Sequence, residues 1–210
     1  MTELQWTGAV TLPLNLTVRF GAEVLKAEDP GPWCQRRAAE LLGPGARRKQ
    51  VGQLASCLLE YADSCRSGNR PAIAAMFFYP DFSRLPPRAT SAVYLLGEDE
   101  AAGPMTIARG RQVYTPRADD EAAFGQVELT EAEVPAGPAL RVHRFRRSDP
   151  GHRKSTIIEE VTWLICPPGS TQAALMATDW SETAFSEAAI SIADDMAQNF
   201  RIEPAGQTGE

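Results

Sequence analysis

The last third of the sequence determines the architecture, because it joins strand-like runs by turn residues and closes on an amphipathic helix. A run over 139–147 and a run over 155–166 flank the turn formers Ser148 to Gly151, and a third run covers 173–178. The helix is predicted to start at Asp179 or Ser181, both good caps. Its buried side chains are predicted to be Phe185, Ala188, Ala189, Ile192, Met196 and Phe200.

The first half predicts two further helices and more strands. Residues 9–20 alternate as a strand, in which Pro13 favours an edge position. The helices are predicted over 30–42, after the cap Asp29, and over 47–65, where small and apolar residues recur at three- and four-residue steps. The predicted antiparallel strand pair covers 71–79 and 90–96.

The segment 97–126 is long for a connection and is rich in acidic residues at both ends. We expect a short helix after Pro104 and then a strand over 127–134. Its acidic groups, Glu98 to Glu100 and Asp119 to Glu121, lack the order of a calcium loop. We therefore interpret them as solvated loop acids.

These patterns predict an α+β fold, a largely antiparallel sheet packed with amphipathic helices. With 210 residues and no linker rich in Ser, Gly or Pro, one domain over 1–204 is expected, followed by a flexible tail over 205–210.

The composition and charge of the chain disfavour several classes of partner. The formal charge of −6 disfavours nucleic acid, and no run approaches the length of a membrane span or has the pattern of a signal peptide. The four cysteines and two histidines show no metal-ligand spacing. We predict a cytoplasmic protein with free thiols, no metal and no cofactor.

Basic residues concentrate on the predicted hairpin. The candidate binding residues are Arg141, Arg144, Arg146, Arg147 and Arg153. Such a group can hold a phosphate, a carboxylate or an acidic partner, since arginine presents a planar fork of donors. Alternatively, these side chains cover a solvent face and pair across strands with Glu159 and Glu160.

Cys34 is the best nucleophile candidate by position, because the first turn of a helix can lower the pKa of a thiol. It also fits the packing face of that helix, next to Trp33, and no histidine pairs with it in any known local order. Serine elbows, phosphate loops and dinucleotide fingerprints are missing from the sequence. We assign no catalytic residue.

The order strand, strand, turn, strand, long helix, with the helix ending Met196-Ala197-Gln198-Asn199-Phe200-Arg201, resembles the closing segment of the PsbP-like α/β/α sandwich. The resemblance covers about a third of the chain. The two helices before the first buried strand depart from that family's early hairpin. The resemblance implies a non-catalytic scaffold that presents its sheet or a groove to another protein.

Three functions are therefore open. The first is a protein-binding adaptor or chaperone-like protein that uses its sheet or basic hairpin. The second is a homo-oligomeric structural component that pairs through an edge near Pro13 or through the Trp163 surface. The third is an enzyme or small-ligand binder with segment 97–126 as a lid over Cys34, Asp81 or the arginines.

Overall fold

Groups of strands and groups of helices follow one another along the chain. The computed structural model describes residues 4–6, 17–67, 72–78, 89–97, 103–116, 123–148 and 155–204. The helices are α1 Ala22–Leu25, α2 Gly31–Leu42, α3 Arg48–Arg66, α4 Ile107–Tyr114 and α5 Ser186–Asn199. The strands are β1 Leu4–Trp6, β2 Thr17–Phe20, β3 Ala74–Phe78, β4 Ala89–Leu96, β5 Ala123–Val134, β6 Gly137–Arg147, β7 Ile157–Ile165, β8 Ala173–Trp180 and β9 Ile202–Pro204.

The chain divides into two units, one of Pro13–Tyr94 and one of Met1–Leu12 with Leu95–Glu210. Each unit combines helices with antiparallel strands, so the predicted α+β class is confirmed. Within the described ranges, no helix has the length and apolar character needed to cross a membrane. The expectation of one domain over 1–204 stays a prediction.

In the unit Pro13–Tyr94, α2 and α3 form within one residue of their predicted ranges, 30–42 and 47–65. Asp29 Oδ1 accepts a hydrogen bond of 2.8 Å from the backbone N–H of Gly31, at the start of α2. Gln50 Oε1 accepts a bond of 3.0 Å from the N–H of Arg47, which closes the first turn of α3. Gly43 ends α2 with a φ of 75°, a conformation that favours glycine.

The core of this unit is aromatic. The Phe20 ring lies 5.3 Å from the Trp33 ring and 5.6 Å from the rings of Tyr61 and Phe77. The hydroxyl of Tyr61 donates to the Ser91 carbonyl oxygen at 2.7 Å, which ties α3 to β4. The pairing of β2 with β3 and of β3 with β4 is antiparallel. Residues 9–16 of the predicted first strand lie outside the described residues, and β2 covers its end.

The second unit is built on an antiparallel meander. Its strand order is β8, β7, β6, β5, with the tight turn Pro135-Ala136 between β5 and β6. Successive residues of a strand point to opposite faces, so Trp163 and Leu164 of β7 define the two faces of this sheet. Trp163 donates to Asp194 of α5, whereas Leu164 packs against α4. The helices α4 and α5 therefore cover opposite faces.

Short strands β1 and β9 pair antiparallel in the same unit. The helix predicted after Pro104 is present as α4, and Thr106 caps it by accepting from the N–H of Arg109 at 3.2 Å. The segment 97–126 therefore holds structure of its own between residues 103 and 116.

The start predicted for the last helix is wrong. The chain stays in β8 to Trp180 because Asp179 and Trp180 continue the pairing with β7, and a single 3₁₀ turn over Thr183–Phe185 precedes α5. The burial prediction fails in part. Ala188 is exposed, whereas Ala189, Ala193, Met196, Ala197 and Phe200 are buried.

Gly110 provides a test of the packing of α4. A Cβ atom there would overlap Leu164 Cδ2 and lie 3.3 Å from Leu140 Cδ2, and both leucines are buried. We predict that Gly110→Ala lowers the free energy of unfolding by about 1–2 kcal/mol, although alanine is the better helix former.

The control is Gly52→Ala in α3, where nothing lies within 4 Å of the added Cβ. This change is expected to raise the free energy of unfolding by about 0.5–1 kcal/mol. Urea denaturation measures both variants. A Gly110→Ala protein as stabilised as Gly52→Ala would contradict the close contact of α4 with the sheet.

Candidate functional site

The basic residues of β6 do not form one patch, because alternate residues of a strand point to opposite faces. Arg144 and Arg146 lie on the face covered by α4, as the contact of Arg144 with the Tyr114 ring at 5.2 Å shows. Arg141 lies on the face of α5, where it binds Asp194. The predicted binding group is thus divided by the sheet.

On the α4 face, a carboxylate on β7 binds both arginines. Glu160 Oε1 accepts from Arg144 Nη2 at 2.9 Å, and Glu160 Oε2 accepts from Arg146 Nε at 3.0 Å. Glu160 is 6% exposed, and Arg144 faces it directly across the two strands. Arg146 also binds Asp179 of β8 at 3.1 Å. The cross-strand pairing expected with Glu160 is present, and Glu160 at its centre is buried, whereas Arg144, Arg146 and Asp179 are partly exposed.

Burial and charge act against each other at Glu160. Burial by itself raises the pKa of this carboxyl, but Arg144, a hydrogen bond from Thr162 and Arg146 outweigh it, so the pKa is lowered from its ordinary value. Burial raises the pKa of the Tyr114 phenol, and Glu160 raises it further. The cluster is therefore ionised at Glu160 and neutral at Tyr114 near pH 7.

On the α5 face, the neighbouring carboxylate Glu159 meets different partners. Its Oε1 lies 2.8 Å from Nε2 of His143, and its Oε2 accepts from Trp180 Nε1 at 3.0 Å and from the Ser186 hydroxyl. Glu159 is 7% exposed, and no described Arg or Lys forms an ion pair with it. Its charge therefore faces histidine, indole and hydroxyl groups.

Arg141 and Trp163 hold α5 on the same face. Arg141 Nε donates to Asp194 Oδ1 at 2.8 Å, and Trp163 Nε1 donates to the same oxygen at 3.0 Å. Trp163 is buried. The prediction of a Trp163 surface that pairs with another copy is therefore wrong, since α5 covers that side chain.

Of the remaining predicted residues, Arg147 is exposed and its guanidinium lies 5.8 Å from the centre of the Phe124 ring. Arg153 lies outside the described residues, as does Asp81. The structure brings Arg144 and Arg146 together on Glu160 and separates them from Arg141.

A cavity of about 140 Å³ opens on the α5 face next to Glu159. The residues that line it come from β6, from β7 and the residue before it, from the end of β8 and from the turn after β8. They are Phe145, Thr156, Ile157, Glu159, Trp180, Ser181 and Thr183. This volume is well below the roughly 300–1,000 Å³ of sites for drug-sized ligands and cofactors. The cavity can hold a single side chain or a small ion.

The thiol of Cys34 is not activated. It is buried, and burial followed by the charge of Asp63 raises its pKa to about 11, so the expectation that the helix start lowers this pKa is wrong. No three His, Cys, Asp or Glu side chains come together as a metal-binding group in the described part of the chain.

Sequence reasoning missed the partners Asp179, Asp194 and Ser186, and with them the cavity. Alternation along β6 could have shown that Arg144 and Arg141 lie on opposite faces. No local signal identifies Asp194, because it reaches Arg141 from a helix 53 positions later in the chain.

The lowered pKa of Glu160 predicts how the free energy of unfolding depends on pH. A carboxyl whose pKa is lowered by folding stabilises the fold above its ordinary pKa of 4.5, and this contribution is lost as the pH falls through the folded value. We predict that Glu160→Gln is less stable at pH 7 by about 2 kcal/mol and loses less stability than the wild type between about pH 5 and about pH 3.

Urea denaturation across this pH range measures the difference, with Glu187→Gln at an exposed position of α5 as the control. Parallel curves for the wild type and Glu160→Gln would show that the arginines do not hold this carboxylate ionised.

Of the comparisons with known proteins, the one with solved structures gave matches. No family model matches the chain, and no curated protein sequence matches it. The solved structure of LpqN, a protein involved in cell envelope biogenesis of Mycobacterium tuberculosis, aligns with a TM-score of 0.44 and 15% identity over 66% of this chain and 75% of that one. These findings do not confirm the resemblance to the PsbP-like family, which stays a prediction.

Proposed function

We propose that this protein is a non-catalytic adaptor or chaperone-like protein that binds a partner segment along the outer strand β5. The observation that carries the proposal is the edge formed by this strand. Strand β5 spans 12 residues and pairs with β6, and no other described strand pairs with it. A free edge of this length is a site where an extended peptide can add a strand through backbone hydrogen bonds.

The register of the hairpin identifies the backbone groups that face outward. Val134 pairs with Gly137 across a two-residue turn, so this pair exchanges backbone hydrogen bonds and the pattern alternates from there. The N–H groups of Thr130 and Ala132 point to β6, whereas those of Leu129, Glu131 and Glu133 point away from the sheet. These three residues offer the donors and acceptors to a partner.

The charge of the edge supports a basic partner over self-association. Glu128, Glu131 and Glu133 are all exposed on β5, and the chain has a formal charge of −6. Two β5 strands paired with each other would bring these glutamates together, which is unfavourable. A segment rich in Lys or Arg would be attracted instead.

The positions of Arg141, Arg144 and Arg146 on opposite faces of the sheet also support a binding role over catalysis. Arg141, Arg144 and Arg146 are engaged by carboxylates on two faces, so they do not converge on one substrate. Residues 107–114 of the proposed lid pack on the sheet as α4. None of the described cysteines, Cys34, Cys57, Cys65 and Cys166, forms a disulfide, which supports our placement of this function in the reducing cytoplasm.

Proline substitution at the edge tests this proposal. Glu131→Pro removes one outward N–H and leaves the donors that point to β6 in place. We predict that it lowers the retention of partner proteins from native lysate by about tenfold, because one backbone hydrogen bond and the local strand geometry are lost.

Glu131→Ala is the matched control, since it removes the same carboxylate and its 2.7 Å ion pair with Arg111 but keeps the N–H. Circular dichroism checks that both variants are folded. Equal retention by Glu131→Pro and Glu131→Ala would overturn binding at this edge. Charge reversal at Arg144 or Arg146 is a poor test, because it would place a new carboxylate against Glu160.

A further inference from the structure

The cavity beside Glu159 has an ordered arrangement of side chains. Phe124, Phe145, Glu159 and Trp180 form one row across β5, β6, β7 and β8, as the strand registers show. Phe145, Glu159 and Trp180 of this row line the cavity. A carboxylate therefore lies between two aromatic side chains, and all three are on one face of the sheet.

Glu159 has room for one more donor. A carboxylate offers about four acceptor positions, and three at Glu159 are used by His143, Trp180 and Ser186. Two of these bonds are on Oε2 and one is on Oε1. The position that remains on Oε1 can accept from a bound group.

The charge at this cavity differs from that on the other face of the sheet. Glu160 binds two arginines, whereas no described Arg or Lys is paired with Glu159. Its ionisable neighbour, His143, also lies 3.5 Å from the exposed Glu128. Two carboxylates thus share one imidazole, and a cation at the cavity would be attracted.

We propose that this cavity binds the side-chain ammonium of a lysine from the partner protein. Its volume of about 140 Å³ is close to the roughly 150 Å³ of an engineered cavity that holds benzene, which suits a four-carbon stem. Phe145, Ile157 and Trp180 contact the stem. The ammonium donates to Glu159 Oε1 and to the hydroxyls of Thr156, Ser181 or Thr183 at the rim.

Lysine fits this arrangement better than arginine does. A guanidinium binds a carboxylate through two parallel bonds to both oxygens, and Oε2 of Glu159 is already occupied by two donors. An ammonium is a compact charge with three donors, which one carboxylate oxygen and two hydroxyls can satisfy.

The inference rests on the proposed function for the source of the lysine, but the chemistry of the cavity can be tested alone. The row places Glu159 two strands in from β5, at about 5 Å per strand. The lysine therefore comes from a part of the partner that leaves the paired edge and crosses the α5 face.

The first experiment titrates the folded, full-length chain with n-butylammonium and follows the indole N–H resonance of Trp180, which donates to Glu159. We expect a saturable shift with a dissociation constant on the order of millimolar. n-Butanol and n-butylguanidinium are the matched probes. The dissociation constant of each is expected to be at least about tenfold higher than that of n-butylammonium. Equal binding of n-butanol, or no shift with n-butylammonium, would overturn the proposal.

Two variants locate the binding. Glu159→Gln removes the charge and is expected to weaken n-butylammonium by roughly tenfold. Because Glu159→Gln also changes a group with three internal hydrogen bonds, a second variant is needed. Thr183→Trp at the exposed rim fills the cavity and keeps the carboxylate in the chain. Thr130→Trp, on an exposed position of β5 outside the cavity lining, is its control. Unchanged binding by Thr183→Trp would place the probe elsewhere and overturn the site.

A lysate experiment separates the two proposals. Loss of partner retention in Thr183→Trp, with retention kept in Thr130→Trp, supports the lysine site. If Thr183→Trp retains the partner as well as the wild type does, while the wild type binds n-butylammonium, the cavity is not the site for the partner. Edge binding would then remain intact. If the wild type retains no partner, the proposed function fails, while the titration still decides the chemistry of the cavity.

Discussion

Two adjacent carboxylates in the first half of β7 organise the charged residues of the second unit. Because neighbouring residues of a strand point to opposite faces, Glu159 and Glu160 bury one negative charge under each layer of helix. Burying a charge is costly unless it is paired and hydrogen-bonded. Glu160 is satisfied by two arginines and Thr162, and Glu159 by His143, Trp180 and Ser186. Most of the polar contacts of β6 and β8 follow from these two requirements.

The elements of the fold could be predicted from the sequence where local chemistry decides them. Apolar steps of three and four residues predicted α3, and the helix-start signal at Asp29 lies at the start of α2. The start of α5 was misplaced because Asp179 resembles a cap in sequence, whereas β7 holds it in a strand. Tertiary pairing outweighs a local cap signal in such a position.

The candidate site was harder to predict, since its geometry depends on pairs far apart in sequence. Cross-strand contact of the β6 arginines with Glu160 was foreseen as an alternative to binding, but the division of Arg141 from Arg144 by the sheet was not. Counting basic residues in a window ignores the period of a strand. Because the structure engages three of these arginines inside the unit, we propose recognition at two other places among the described residues, the edge of β5 and the cavity at Glu159, and both carry negative charge.

The central claim is that Arg141, Arg144 and Arg146 of β6 serve the internal ion pairs and not an external partner. Hydrogen exchange of the arginine Nε–H groups, followed by NMR in the isolated protein, tests it most directly. Arg141, Arg144 and Arg146 each donate Nε–H to a carboxylate, whereas exposed Arg147 lies over the Phe124 ring. The account predicts slow exchange at the first three positions and fast exchange at Arg147. Equally fast exchange at all four would contradict it.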